Sequence, residues 1–170
     1  MTGATVDNVG TLTVTNAATV SGGTLTNETG AHLTAGSASL TGATVNNSGA
    51  ATVTGSASLA GGTFTNVTAA STLEVGSATL SASAQLINNG AVTVDHDASL
   101  AGGSHLTNSA TGTVHVVGAA TVQSSSQVVN SGTLTLDAAA SLLTGASLDN
   151  SGTATVGGLA TVNAASVTNE

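Results

Sequence analysis

Apolar and polar residues alternate with period two in short runs along the whole chain, and clusters of Gly, Ser and Asn separate the runs. This alternation is the pattern of half-buried strands, and the Val and Thr that fill most runs are strand formers. Set out in rows of about twenty residues, the runs fall into three columns. One is Ala-(Ser/Thr)-(Leu/Val), from Ala18-Thr19-Val20 and Ala38-Ser39-Leu40 through to Ala160-Thr161-Val162. A second ends in Asn8, Asn27, Asn47, Asn66, Asn88, Asn108, Asn130, Asn150 and Asn169, each two residues after an apolar residue such as Val6, Leu25, Val45 or Phe64. The third follows each Asn, as in Leu12-Thr13-Val14, Val92-Thr93-Val94 and Leu134-Thr135-Leu136.

Three very short strands per row cannot make independent hairpins. The pattern predicts an all-β parallel β-helix, or β-solenoid, of about eight coils, in which each strand pairs with its equivalent one coil above and below. Strand spacing of about 4.8 Å makes this a rod roughly 40 Å long, and residues 1–170 form a single repeat domain. Val, Leu and Ala fill the inside. Thr19, Ser39, Ser58, Thr79, Ser99, Thr121, Ser141 and Thr161 form one outward column.

Composition fits this geometry and narrows the function. The chain has no Lys, Arg, Cys, Pro, Trp or Tyr, and its net charge is −8. Without a cationic side chain it cannot neutralise phosphates, which excludes nucleic-acid binding and attachment to anionic lipid. No membrane insertion and no cofactor are expected. In-register stacking sets like residues on top of one another, which is costly for charges and tolerable for hydroxyls and amides, so charge is sparse. Trypsin-like proteases find no cleavage site.

The Asn column reads as structural. Asn tolerates left-handed backbone and its amide both donates and accepts, so stacked Asn can bond one another and the turn carbonyls. Five corners read Asn-x-Gly, as in Asn47-Ser48-Gly49 and Asn88-Asn89-Gly90. Other corners are longer: after Asn66 by residues 67–71, after Asn108 by 109–112, and by one residue ahead of the strands carrying Leu86, Leu106, Val128 and Leu148. Drift of a degenerate repeat accounts for these more simply than binding loops do.

Candidate chemistry is sparse. Asp95-His96-Asp97 is the densest polar cluster and the candidate for metal ligation, but adjacent residues rarely converge on one ion, and a solvated turn is the simpler reading. His105 stacks with Gln85 and Gln127 as a candidate hydrogen-bonded ladder. His32 and His115 are assigned to the outward column of Thr13, Thr52, Thr93, Thr135 and Thr155, with Glu74 in the fourth coil. The polysaccharide lyases and hydrolases built on β-helices need a cationic base with calcium or neighbouring carboxylates. There is no cation here, and Asp95 and Asp137 are two coils apart, so no catalytic residues are assigned.

The form apolar-x-Asn-x-Gly-x-apolar-x-Val, as in Val45-Asn46-Asn47-Ser48-Gly49-Ala50-Ala51-Thr52-Val53 and residues 148–156, resembles the repeats of filamentous-haemagglutinin-type adhesins and related autotransporter passengers. The resemblance covers nearly the whole chain. It implies a right-handed helix and a bacterial secreted or cell-surface protein extending as a fibre, with a surface or glycan ligand left open. Met1-Thr2-Gly3 lacks the basic region and apolar run of a secretion leader. Residues 3–8 match 164–169, and neither end shows a capping element, so both are expected to continue into further repeats or to stack on other copies. The leading expectation is a non-enzymatic, self-associating fibre element, with a passive stalk segment of a larger adhesin as the alternative. A third is ice binding through Thr pairs such as Thr11/Thr13 and Thr133/Thr135, which a lack of thermal hysteresis would dispose of.

Overall fold

The computed structural model describes all of residues 1–170. It contains nineteen strands and no helix, so no helix is present that could cross a membrane. Every pairing between strands is parallel and joins equivalent segments one coil apart, building the predicted β-solenoid of about eight coils. The Asn face runs in unbroken register from Thr5–Asn8 to Ser166–Asn169. A Thr face follows it in each coil and then an Ala face, on which the hydroxyl column Thr19 to Thr161 stacks residue on residue. No registered pair sets two acids opposite each other; Glu74, for example, lies between Thr52 and Thr93.

Inward Val, Leu, Ala and the single Phe64 form one continuous core of 27 buried residues. Its packing changes along the rod. In the first four coils the strands are long and run through the corners, as in Thr11–Ser21, His32–Asn47, Ala50–Asn66 and Thr72–Ser81. From the fifth coil on, short strands such as Ala91–Val94 and Ala98–Leu100 are set off by sharp turns. The inward Ala column registers the difference: Ala18, Ala38, Ala57 and Ala78 are half-buried, whereas Ala98, Ala120 and Ala140 are buried. A strand whose ladder continues around a corner turns it gradually, and at equal perimeter a rounded section encloses more area than a triangular one.

The corner between the Ala and Asn faces uses left-handed backbone. In the early coils glycine supplies it, at Gly22/Gly23 and Gly61/Gly62. In the later coils the corner is one residue longer, as the sequence predicts, and Ala82/Ser83 and Ser124/Ser125 adopt positive φ without being glycine, at a local conformational cost. The position just before the Asn face is Gly23, Ala43 and Gly62 early on, then Ala84, Ser104, Ser126 and Ala146, whose side chains are buried.

One expected assignment is corrected. The corner after Asn27 is also lengthened, through Glu28 to Ala31, and closes with an N–H of Ala31 donated to the carbonyl of Glu28, as the corners after Asn66 and Asn108 close at Ser71 and Gly112. The next strand is thereby displaced by two residues. His32 pairs with Thr11 and Ala50, and Thr34 takes the place in the Thr13–Thr52 column that the repeat pattern assigns to His32. His115 lies where expected, between Thr93 and Thr135.

Candidate functional site

The most organised polar arrangement in the molecule is the asparagine ladder. Each Asn ends a strand of the Asn face, so its side chain turns into the corner, where Asn27, Asn47, Asn66, Asn88 and Asn130 are fully buried. The Nδ2 of each donates to the Oδ1 of the Asn one coil further on: Asn8 to Asn27 at 2.7 Å, Asn47 to Asn66 at 2.8 Å, Asn88 to Asn108 at 2.8 Å, Asn150 to Asn169 at 2.6 Å. The links at Asn27, Asn66, Asn108 and Asn130 run the same way. The second Nδ2 hydrogen reaches a backbone carbonyl at the start of the Thr face, such as Thr72 from Asn47 at 2.8 Å and Thr113 from Asn88 at 2.9 Å. No buried side-chain nitrogen or oxygen anywhere in the chain lacks a partner. The ladder thus ties the corner of each coil to the next two faces, and its bonds polarise one another in a dry setting.

The short Asn-x-Gly corners depend on glycine for a reason of distance. A Cβ on Gly49 would lie 2.3 Å from the carbonyl oxygen of Ala31, and one on Gly90 would lie 2.2 Å from that of Ser71. At Gly49, Gly90, Gly132 and Gly152 neighbouring corners nest too closely for any side chain, whereas an added Cβ at Gly10 would meet nothing within 4 Å.

The other predicted residues are distributed rather than gathered. Asp97 accepts the backbone N–H of Ala119 at 2.9 Å through Oδ1, and His96 Nδ1 lies 3.1 Å from the carbonyl of Gly76, which fixes the proton on Nδ1. Both side chains thus tie the corner to adjacent coils, and Asp95 joins neither bond. No group of three or more His, Asp or Glu side chains is placed to hold a metal ion. Gln85, His105 and Gln127 stack in register, but no side-chain hydrogen bond joins them into the expected ladder. Sequence reasoning missed one pair, His115 Nε2 to Asp137 Oδ2 at 2.7 Å, formed across consecutive coils. Asp137 lies two residues beyond Thr135, the registered partner of His115, so row alignment carried the signal. With both side chains nearly half exposed, this pair contributes about 0–1 kcal/mol.

These features define a β-solenoid repeat protein whose polar chemistry is spent on its own corners. Compared with protein families, characterised proteins and solved structures, the chain matches none.

Proposed function

We propose that the chain is a non-enzymatic structural rod, an extracellular or cell-surface fibre element of adhesin type that extends by stacking coil on coil. The observation that carries this reading is the unbroken asparagine ladder along the rod axis, which spends the most organised polar side chains of the molecule on joining coil to coil. Val156, Val162 and Val167 continue inward columns whose members one coil back include buried Leu136 and Leu142, yet they are 37%, 54% and 50% exposed. A further coil would bury them and pair the open strand edge. It could come from the same chain, as in a stalk segment, or from a second copy. The likeness of the Asn-cornered repeat to filamentous-haemagglutinin-type adhesins supports the extracellular setting. Ladders parallel to the rod axis share tension over many bonds, which suits a fibre.

Stacking of separate copies has a geometric condition. The chain holds one more Asn-face strand than Thr-face or Ala-face strands. On that face Ser166–Asn169 occupies the place that Thr5–Asn8 of a following copy needs, so one of them must give way. Electron microscopy of the purified chain tests the reading. Filaments of uniform width are expected, and deleting residues 164–170 should bring them on at lower protein concentration. Discrete particles about 40 Å long from both forms at high concentration would overturn the polymer and leave the stalk.

Ice binding draws less support. The Thr13–Thr34–Thr52 column is interrupted by Glu74 and His115, and its neighbour holds His32, Ala50 and Ala91.

A further inference from the structure

The rounded early coils are hollow. A cavity of about 400 Å³ runs along the axis from the first coil, where Val6 and Leu12 line it, to the fifth, where Val92 and Val94 do. The triangular later coils hold one of only about 50 Å³. Nearly every residue around the larger cavity is apolar. Leu33 and Leu40 are half-buried although they point inward, because the cavity lies beside them.

We propose that this lumen is a binding site for one unbranched alkyl chain of about sixteen carbons carrying a small neutral head group. The proposal goes beyond the rod reading and does not rest on it. Two independent measures give the carbon number. An apolar cavity of roughly 150 Å³ accepts benzene, a six-carbon ring, so the volume here has room for about sixteen carbons. The four steps from first to fifth coil span about 19 Å at strand spacing. An extended alkyl chain, with C–C bonds of roughly 1.5 Å zigzagging at the tetrahedral angle, advances about 1.25 Å per carbon and fills that length with about sixteen. Volume divided by length gives a mean section of about 20 Å², close to that of one methylene chain.

The lining also selects the guest. A lumen of Leu, Val and Ala offers no buried polar side chain to hold a head group, so the head stays at the mouth. The net charge of −8 and the absence of Lys and Arg disfavour a carboxylate or phosphate head there.

Calorimetric titration with 1-alkanols from six to twenty carbons, with 1-adamantanol as the bulky control, tests the site on the full chain. Affinity is expected to rise about fourfold per methylene and to level off near sixteen carbons, with no saturable binding of adamantanol. Ala57→Leu projects a larger side chain into the lumen and should weaken binding of the longest alkanol at least tenfold. If that variant does not fold, NMR contacts between alkanol protons and the methyl groups of Leu33 and Leu40 in the unaltered chain decide the matter. Absence of saturable binding, equal binding of adamantanol, unchanged affinity in a folded Ala57→Leu variant, or absence of those methyl contacts would each overturn the proposal.

Discussion

Asn88→Ala is expected to lower the free energy of unfolding by about 3–5 kcal/mol, measured by denaturant titration. Asn88 is fully buried. Its Oδ1 accepts from Asn66 Nδ2 at 3.0 Å and from the N–H of Gly90 at 3.2 Å. Its Nδ2 donates to Asn108 Oδ1 at 2.8 Å and to the carbonyl of Thr113 at 2.9 Å. Alanine deletes these four bonds and a fifth, from Nδ2 to the carbonyl of Gly90 at 3.0 Å, and strips Asn108 Oδ1 of its donor in a place water does not reach. An unsatisfied buried polar group costs about 1–3 kcal/mol beyond the modest net value of the bond. Asn46, on the same face and outside the ladder, is the control: Asn46→Ala should stay within about 0.5 kcal/mol.

Asn88→Asp sharpens the same expectation. The carboxylate has no hydrogen to give Asn108 Oδ1, and burial disfavours its charge, so its folded-state pKa should lie above the unfolded value near 3.9. The folded state then holds the proton more tightly than the unfolded one. The variant should therefore be most stable below about pH 4, where the protonated acid can still donate, and should lose stability as pH rises through the folded-state pKa. Denaturant midpoints that do not change between acid and neutral pH would show that the position is not the buried link described here.

Gly62→Ala is expected to be at least as damaging, at about 3 kcal/mol or more. Its φ is +93°, and an added Cβ would lie 2.3 Å from the carbonyl oxygen and 2.7 Å from the nitrogen of Ala43 in the coil below. Both atoms belong to the stacked backbone and cannot yield without opening the ladder. Gly42 separates strain from collision: its φ is +57° and an added Cβ would meet nothing within 4 Å, so Gly42→Ala should cost only about 1 kcal/mol. At Ser83, where φ is 61° in a non-glycine residue, glycine should be neutral or stabilising by up to about 1 kcal/mol. Thermal melts of the three variants should rank them Gly62→Ala, Gly42→Ala, Ser83→Gly from least to most stable.

The columns are legible in the sequence because eight rows repeat a weak signal: Ala18-Thr19-Val20 alone says little, whereas its recurrence through Ala160-Thr161-Val162 leaves little room for another fold. Where the repeat pattern misleads, at His32, it does so by two residues. Strand periodicity is itself two, so such a shift keeps every inward residue inward and the pattern offers no warning. Gly30 reinforces the error by ending the Asn27 corner in an apparent variant of Asn-x-Gly. The ladder's residues are readable but its single direction is not, since an amide can donate either way until neighbouring carbonyls fix its orientation. The lumen is not readable at all. Inward residues of the hollow third coil, Ala51, Val53, Ala57 and Leu59, differ little from Val114, Val116, Ala120 and Val122 of the more closely packed sixth, and curvature at the corners makes the difference.

The common direction of the asparagine bonds gives the rod an electrical sense. An amide group carries a dipole of about 3.5 D, and nine of them pointing one way along the axis sum to as much as about 30 D. The end bearing Asn8 is the negative pole and the end bearing Asn169 the positive one. Rods joined end to end add their dipoles, while rods lying side by side lower their energy by pointing in opposite directions. A fibre of such rods would have one sense throughout, and a bundle of those fibres would favour neighbours of alternating sense.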